Sequence, residues 1–147
     1  MRRLLIVVVV AAAGCGGEGG SGGDRLTEQE FRAQANQICT DFAEELDALG
    51  EPGSLEELGT QLEEGRTIFE NGLEELRQLR PPEELQSEYD RLLGTGDDAL
   101  AAFESMQQAA EDGDVQEVQR IAEEADQADE EADEIARGLG LDDCATD

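Results

Sequence analysis

From Thr27 to Gly138, apolar residues return at every third or fourth position, and this rhythm dictates the fold more than any other feature of the chain. A period near 3.6 lines such residues along one side of a helix, whereas a half-buried strand needs strict alternation, which no segment shows. The first stripe is Phe31, Ala35, Ile38, Phe42, Leu46 and Leu49. Thr27 with Glu30 three positions on has the form of a capping box, and Gly50-Glu51-Pro52-Gly53 ends the run. Ser54 with Glu57 opens a second helix by the same device, with Leu55, Leu58, Leu62, Phe69, Leu73, Leu76 and Leu79 on one side and Gly65 and Gly72 near the seam. Pro81-Pro82 stops it, and Pro82 suits the first position of the next helix.

The third stripe is Leu85, Tyr89, Leu92, Leu93, Leu100, Phe103 and Met106, interrupted by Gly94-Thr95-Gly96. Each glycine costs about 1 kcal/mol relative to alanine inside a helix, so a kink or break is expected there. Gly113 reads as a terminal cap, and Asp114 with Glu117 as the start of a fourth helix. Val115, Val118, Ile121, Ala122, Ala125, Ala128, Ala132 and Ile135 form its stripe, with Gly138 as its stop. Four helices of about 23 to 30 residues joined by short turns predict an all-α, up-down-up-down four-helix bundle. The alternative is a three-helix or kinked arrangement redirected at Gly94–Gly96.

Composition sharpens this. There is no Trp, one Tyr and four Phe, so the core rests on Leu, Ile, Val, Met and Ala, which suits helices better than strands. The net charge is −28, and every basic residue is Arg. Such a field repels nucleic acid and anionic membrane surfaces and draws cations or a basic partner. Arg residues are placed to pair along their own helices: Glu63–Arg66, Glu74–Arg77, Glu88–Arg91 and Glu117–Arg120 at three positions, Glu28–Arg32 and Asp133–Arg137 at four. Like charges four apart, such as Glu70–Glu74 and Asp129–Asp133, oppose them.

The amino-terminal residues carry a separate message. Arg2 and Arg3 form a short positive start, Leu4 to Ala13 is an unbroken apolar run, and the segment ends Ala12-Ala13-Gly14-Cys15. Ten apolar residues are too few for a membrane span and match the apolar region of a secretory signal. The ending resembles the lipobox of bacterial lipoproteins, although Ala12 stands where Leu is usual. The resemblance implies that residues 1–14 are a signal peptide, that the Cys15 thiol carries a diacylglyceryl group, and that the protein is held on the outer face of the cell membrane. Twin-arginine export through Arg2-Arg3 and ordinary cleavage leaving Cys15 a free thiol are the alternatives. Removing the leader would leave 8 basic against 38 acidic residues, or −30. Residues 15–26 then form a lipidated start and a Gly-rich tether, whose nine residues after Cys15 reach roughly 17 Å. Residues 27–147 form the bundle and a tail.

With Cys15 lipidated, Cys39 and Cys144 are the two cysteines left to pair in an oxidising compartment. In an antiparallel bundle the fourth helix ends near the start of the first. Cys39 would lie about 18 Å along that helix from Thr27, and the six residues from Leu139 to Cys144 span about 20 Å when extended. A Cys39–Cys144 disulfide is therefore reachable, with Leu139 and Leu141 anchoring the tail against the first helix; two free thiols are the alternative.

Little is left for catalysis. Without His the commonest general base and metal ligand is gone, and without Lys there is no Schiff base. The Glu-x-x-His pairs of di-iron bundles, haem-attachment Cys-x-x-Cys-His, zinc clusters and a Walker loop are all missing. The acid-dense stretch Glu123 to Glu134 lacks the ligand order of an EF-hand and reads as a face for diffuse cations. The expectation is a non-enzyme with no catalytic residue, no specific metal site and no cofactor: an envelope-anchored lipoprotein serving as an interaction or structural module, whose bundle binds a protein, peptide or other envelope component. The alternative is a cation- or small-ligand-binding accessory protein of a sensor or transporter. They differ in kind: a partner-binding helix needs a second apolar stripe, and a ligand carrier needs an internal pocket of several hundred Å³.

Overall fold

The computed structural model describes residues 25–145. These form four helices, α1 (Glu28–Asp47), α2 (Leu55–Gln78), α3 (Glu83–Glu111) and α4 (Val115–Leu139), followed by a short 3-10 turn at Asp142–Cys144. The architecture is the predicted four-helix bundle. The expected signal peptide, Cys15 and the glycine-rich segment up to residue 24 lie outside the described residues. Arg25 and Leu26, read from the sequence as the end of the tether, are docked on the α2–α3 turn: Leu26 N–H donates to the Arg80 carbonyl at 2.8 Å, and Arg25 Nη1 to the Pro81 carbonyl at 2.8 Å.

The caps follow the sequence signals with local changes. Thr27 and Glu30 form the full capping box. Ser54 accepts from Glu57 N–H at 3.2 Å, but the Glu57 carboxylate takes the Gly53 N–H, one residue earlier than a capping box requires. Asp114 accepts from Glu117 N–H at 3.0 Å, and the Glu117 carboxylate turns to Arg120. Pro82 is not the first helical residue: its extended backbone makes it the residue before α3, which starts at Glu83.

Gly94-Thr95-Gly96 does not interrupt α3, which is continuous over 29 residues. Gly96 is buried, and a Cβ there would lie 2.7 Å from Leu73 Cδ1 on α2, so the missing side chain permits the approach of two helices. Packing at that contact outweighs the roughly 1 kcal/mol propensity cost. The fourth helix also outlasts its predicted stop. It passes Gly138 and ends at Leu139, because the left-handed residue is Gly140, with φ 74°. Leu141 N–H donates to the Ala136 carbonyl at 2.9 Å and Gly140 N–H to Arg137 at 3.1 Å, the paired bonds of a Schellman ending.

The apolar stripes meet unevenly. Helix α3 packs along both α2 and α4, while α1 packs on α2 and on the carboxy-terminal turn rather than along α4. The densest core lies at one end of the bundle, where Phe31, Ala35, Leu76, Tyr89, Ile135, Ala136, Leu139 and Leu141 converge. There the Phe31 and Tyr89 rings meet edge to face at 4.8 Å, and the Tyr89 hydroxyl donates to the Leu76 carbonyl at 2.7 Å. Burial pushes that hydroxyl well above its ordinary pKa, so it stays protonated and donating. Towards the other end Phe42, Leu46, Phe69, Phe103 and Met106 are only partly buried.

Candidate functional site

The tail explains the uneven core. Helix α1 offers it a polar row beside the apolar stripe. Arg32 Nε donates to the Leu139 carbonyl at 2.8 Å, Asn36 Nδ2 to the Gly140 carbonyl at 3.3 Å, and Asp143 N–H returns a bond to Asn36 Oδ1 at 3.1 Å. Leu141 is wholly buried. One helical turn further along, Cys39 and Cys144 are joined as a disulfide, with Cα atoms 4.9 Å apart across 105 positions of sequence. The pairing and both leucine anchors agree with the sequence reading, although Leu139 belongs to α4 and not to the tail. The tail contacts both α1 and α4 and thus occupies the seam between them.

Beyond the disulfide that seam is not filled. A cavity of about 330 Å³, partly open to solvent, lies among the helices, with walls from all four and a floor at Cys39 and Cys144. Phe42, Phe69 and Phe103 form a chain of rings along it, at centroid distances of 5.9 and 5.8 Å. Leu62, Leu73, Leu92 and Met106 complete much of the apolar wall. Small residues make the space: Ala99 and Ala102 on α3, and Ala125 and Ala132 on α4, stand where bulkier side chains would close it. A volume of this size equals that of roughly eleven waters in the liquid and falls at the lower end of ordinary ligand pockets.

Two ionisable groups line the cavity, Asp129 and Asp133, one turn apart on α4. Asp133 is mostly covered and pairs with Arg137 at 3.3 Å. Asp129 is solvent-accessible at the rim and forms no ion pair among the described residues. Its carboxyl is raised above the ordinary aspartate range, first by desolvation against the bundle, then by Asp133 and Asp126. Nearby arginines are engaged elsewhere: Arg91 with Glu88 and Glu131, Arg120 with Glu117 and Glu124. Of the predicted pairs, Glu28–Arg32, Glu88–Arg91, Glu117–Arg120 and Asp133–Arg137 form. Arg66 instead takes Glu70, and Arg77 crosses to Asp97 on α3.

A second concavity, about 520 Å³, lies on the outer side of α1 and α2. It is a mixed-polarity surface groove containing Asp41, Glu44, Glu45 and Glu75, and water fills it without penalty. The cavity among the four helices differs in its lining, which is almost wholly apolar: such walls hold water poorly, which leaves free energy for an apolar guest.

The sequence reading placed the whole stretch 123–134 on a solvated face. Most of it is exposed, Asp129 included, but Asp133 is largely covered, and Ala125, Asp129, Ala132 and Asp133 share the side of α4 that borders the cavity while Ala128 points outward. The available signal was the run of alanines in the fourth stripe opposite phenylalanines in the others. Among the described residues no His, Cys, Asp or Glu trio is gathered closely enough to hold a metal ion, and no helix is long and apolar enough to cross a membrane. No family model, curated protein or solved structure matches the chain.

Proposed function

We propose that the chain is a non-enzymatic, envelope-anchored lipoprotein whose bundle binds a small, largely apolar molecule in its interior. The cavity of about 330 Å³ among the four helices carries this reading. It is the feature that separates a ligand carrier from a partner-docking bundle. The converse feature, a second apolar stripe, is not seen among the described residues: Val115 is the large apolar side chain left exposed, at 49%. Anchoring is proposed from the lipobox-like ending at Cys15, with two acyl chains on one thiol giving firmer retention than one. A diffuse layer of cations accompanies a surface of this charge.

The test uses the neutral fluorophore N-phenyl-1-naphthylamine, which brightens in apolar surroundings. The protein should saturate with one probe per chain, and a filled variant, Ala99→Leu with Ala132→Leu, should lose the signal while keeping its helical circular dichroism. An absence of saturable binding, or equal binding by the filled variant, rejects the ligand reading. Membrane retention unchanged by Cys15→Ser rejects the anchor.

A further inference from the structure

We propose that the occupant is an amphipathic monocation, its apolar body among Phe42, Phe69 and Phe103 and its positive head at Asp129 and Asp133. This rests on the reading of the cavity as a ligand site and adds the chemistry of the guest. The cavity lining has one sign of charge: its ionisable groups are Asp129 and Asp133, and no basic side chain lines it. Thr95 is the remaining polar side chain, and its hydroxyl is already donated to the Leu92 carbonyl at 2.7 Å.

An anionic amphiphile would enter against these carboxylates and against the field of a chain with net charge −28. A neutral one would cover the Asp129 carboxylate, removing water from it without supplying a partner. A cation supplies that partner, and Asp129 is free to take it because Arg137 is held by Asp133. Desolvation and the nearby Asp133 and Asp126 already disfavour the charged form of Asp129, a burden that a positive head would relieve. The acidic turn does not act as a metal site here. Carboxylates strung along one regular helix cannot surround an ion, whereas a bulky ammonium needs only one flank.

Octyltrimethylammonium, octanol and octanoate share one apolar body and differ in charge. Calorimetric titration of each into the full chain carrying Cys15→Ser, in detergent-free buffer at moderate salt, separates the possibilities. The cation should bind about two- to fivefold more tightly than octanol, the amount expected of one solvent-accessible charge pair, and octanoate should bind weakest. Asp129→Asn should remove that advantage and leave octanol unchanged; it spares the Asp133–Arg137 pair. The filled variant should lose both ligands. Octanol binding as tightly as the cation overturns this inference and leaves the ligand reading standing. Cation binding that survives both Asp129→Asn and filling also overturns it, as attraction to the general acidic surface. Failure of all three compounds to bind, together with failure of the neutral fluorophore, removes the ligand reading itself.

Discussion

Alanine at two buried glycines provides a direct test of the hollow interior. At Gly96 the new Cβ would lie 2.7, 3.1 and 3.5 Å from the two methyls and Cγ of Leu73. Those atoms are the far end of a flexible side chain that borders the cavity, so Leu73 can rotate into empty space. The change of rotamer costs about 0.5–1.5 kcal/mol, and alanine returns about 1 kcal/mol of helix propensity. Gly96→Ala should therefore leave stability within about 1 kcal/mol of the parent. At Gly72 the new atom would lie 2.8, 3.1 and 3.2 Å from Cδ1, Cγ and Cβ of Phe42. The Phe42 Cβ is fixed to the α1 backbone, so relief requires α1 and α2 to separate. Overpacking of this kind costs about 1–3 kcal/mol, which the same propensity gain only partly offsets, and Gly72→Ala should be the clearly destabilising change. Urea unfolding followed by helical circular dichroism measures both, and probe binding should weaken in Gly96→Ala as Leu73 intrudes. If Gly96→Ala proves as costly as Gly72→Ala, Leu73 has nowhere to go and the cavity does not exist in solution.

Three further outcomes follow from the same contacts. Replacing Cys39 and Cys144 together by serine opens a loop spanning 105 positions and should cost about 4–5 kcal/mol in the chain-entropy model; a urea midpoint unchanged from the oxidised parent would contradict the bridge. For Asp129 the folded carboxyl is raised, so its protonation favours the folded state: the contribution is present below the unfolded aspartate range and is lost as pH rises through the raised folded value. Asp129→Asn should accordingly gain a few tenths of a kcal/mol at neutral pH, an amount kept small by solvent at the rim, and the gain should vanish near pH 3. Equal gains at both pH values would rule out titration as the cause. Finally, a chain of net charge −28 should melt at higher temperature as salt rises from about 10 to 150 mM, because the Debye length falls from about 30 to 8 Å; a flat or falling melting point would count against repulsion as a strain on the fold.

The contrast between what the sequence disclosed and what it hid has a physical basis. Stripe period, proline stops and capping residues are local signals, and they were sufficient for four helices and their order. The tail route was also legible, because Cys39, Leu139, Leu141 and Cys144 impose a distance that few arrangements satisfy. The role of Gly96 was not, since a glycine that weakens its own helix cannot reveal the Leu73 on another helix that needs the room. Asn36 was passed over for a similar reason: its two bonds go to Gly140 and Asp143, more than a hundred positions away. The cavity depends on what fails to meet. Each stripe looks competent to bury its residues. Only their assembly shows α1 held apart from α4 over the stretch where Ala125 and Ala132 face the phenylalanines.

The position of the disulfide connects the stability of this fold to its hollow. Cys39 and Cys144 sit at the boundary between the dense end of the bundle and the cavity, contributing to both the core and the cavity floor. On the dense side, Leu139, Leu141, Phe31 and Tyr89 are almost completely buried. On the other, small side chains and the partly desolvated Asp129 carboxylate forgo packing energy. A bundle selected for stability alone would fill the cavity with leucines from α3 and α4, as the Ala99→Leu and Ala132→Leu variant attempts. Instead Leu141 is buried where the tail meets α1 and α4, and the long-range crosslink, by restraining the unfolded chain, offsets part of what the unfilled volume forgoes. Because the crosslink acts on the unfolded chain, reduction should destabilise the filled variant and the parent by similar amounts. If reduction costs the filled variant clearly less than the parent, the bridge also bears on the folded seam, and restraint of the unfolded chain is not its whole effect.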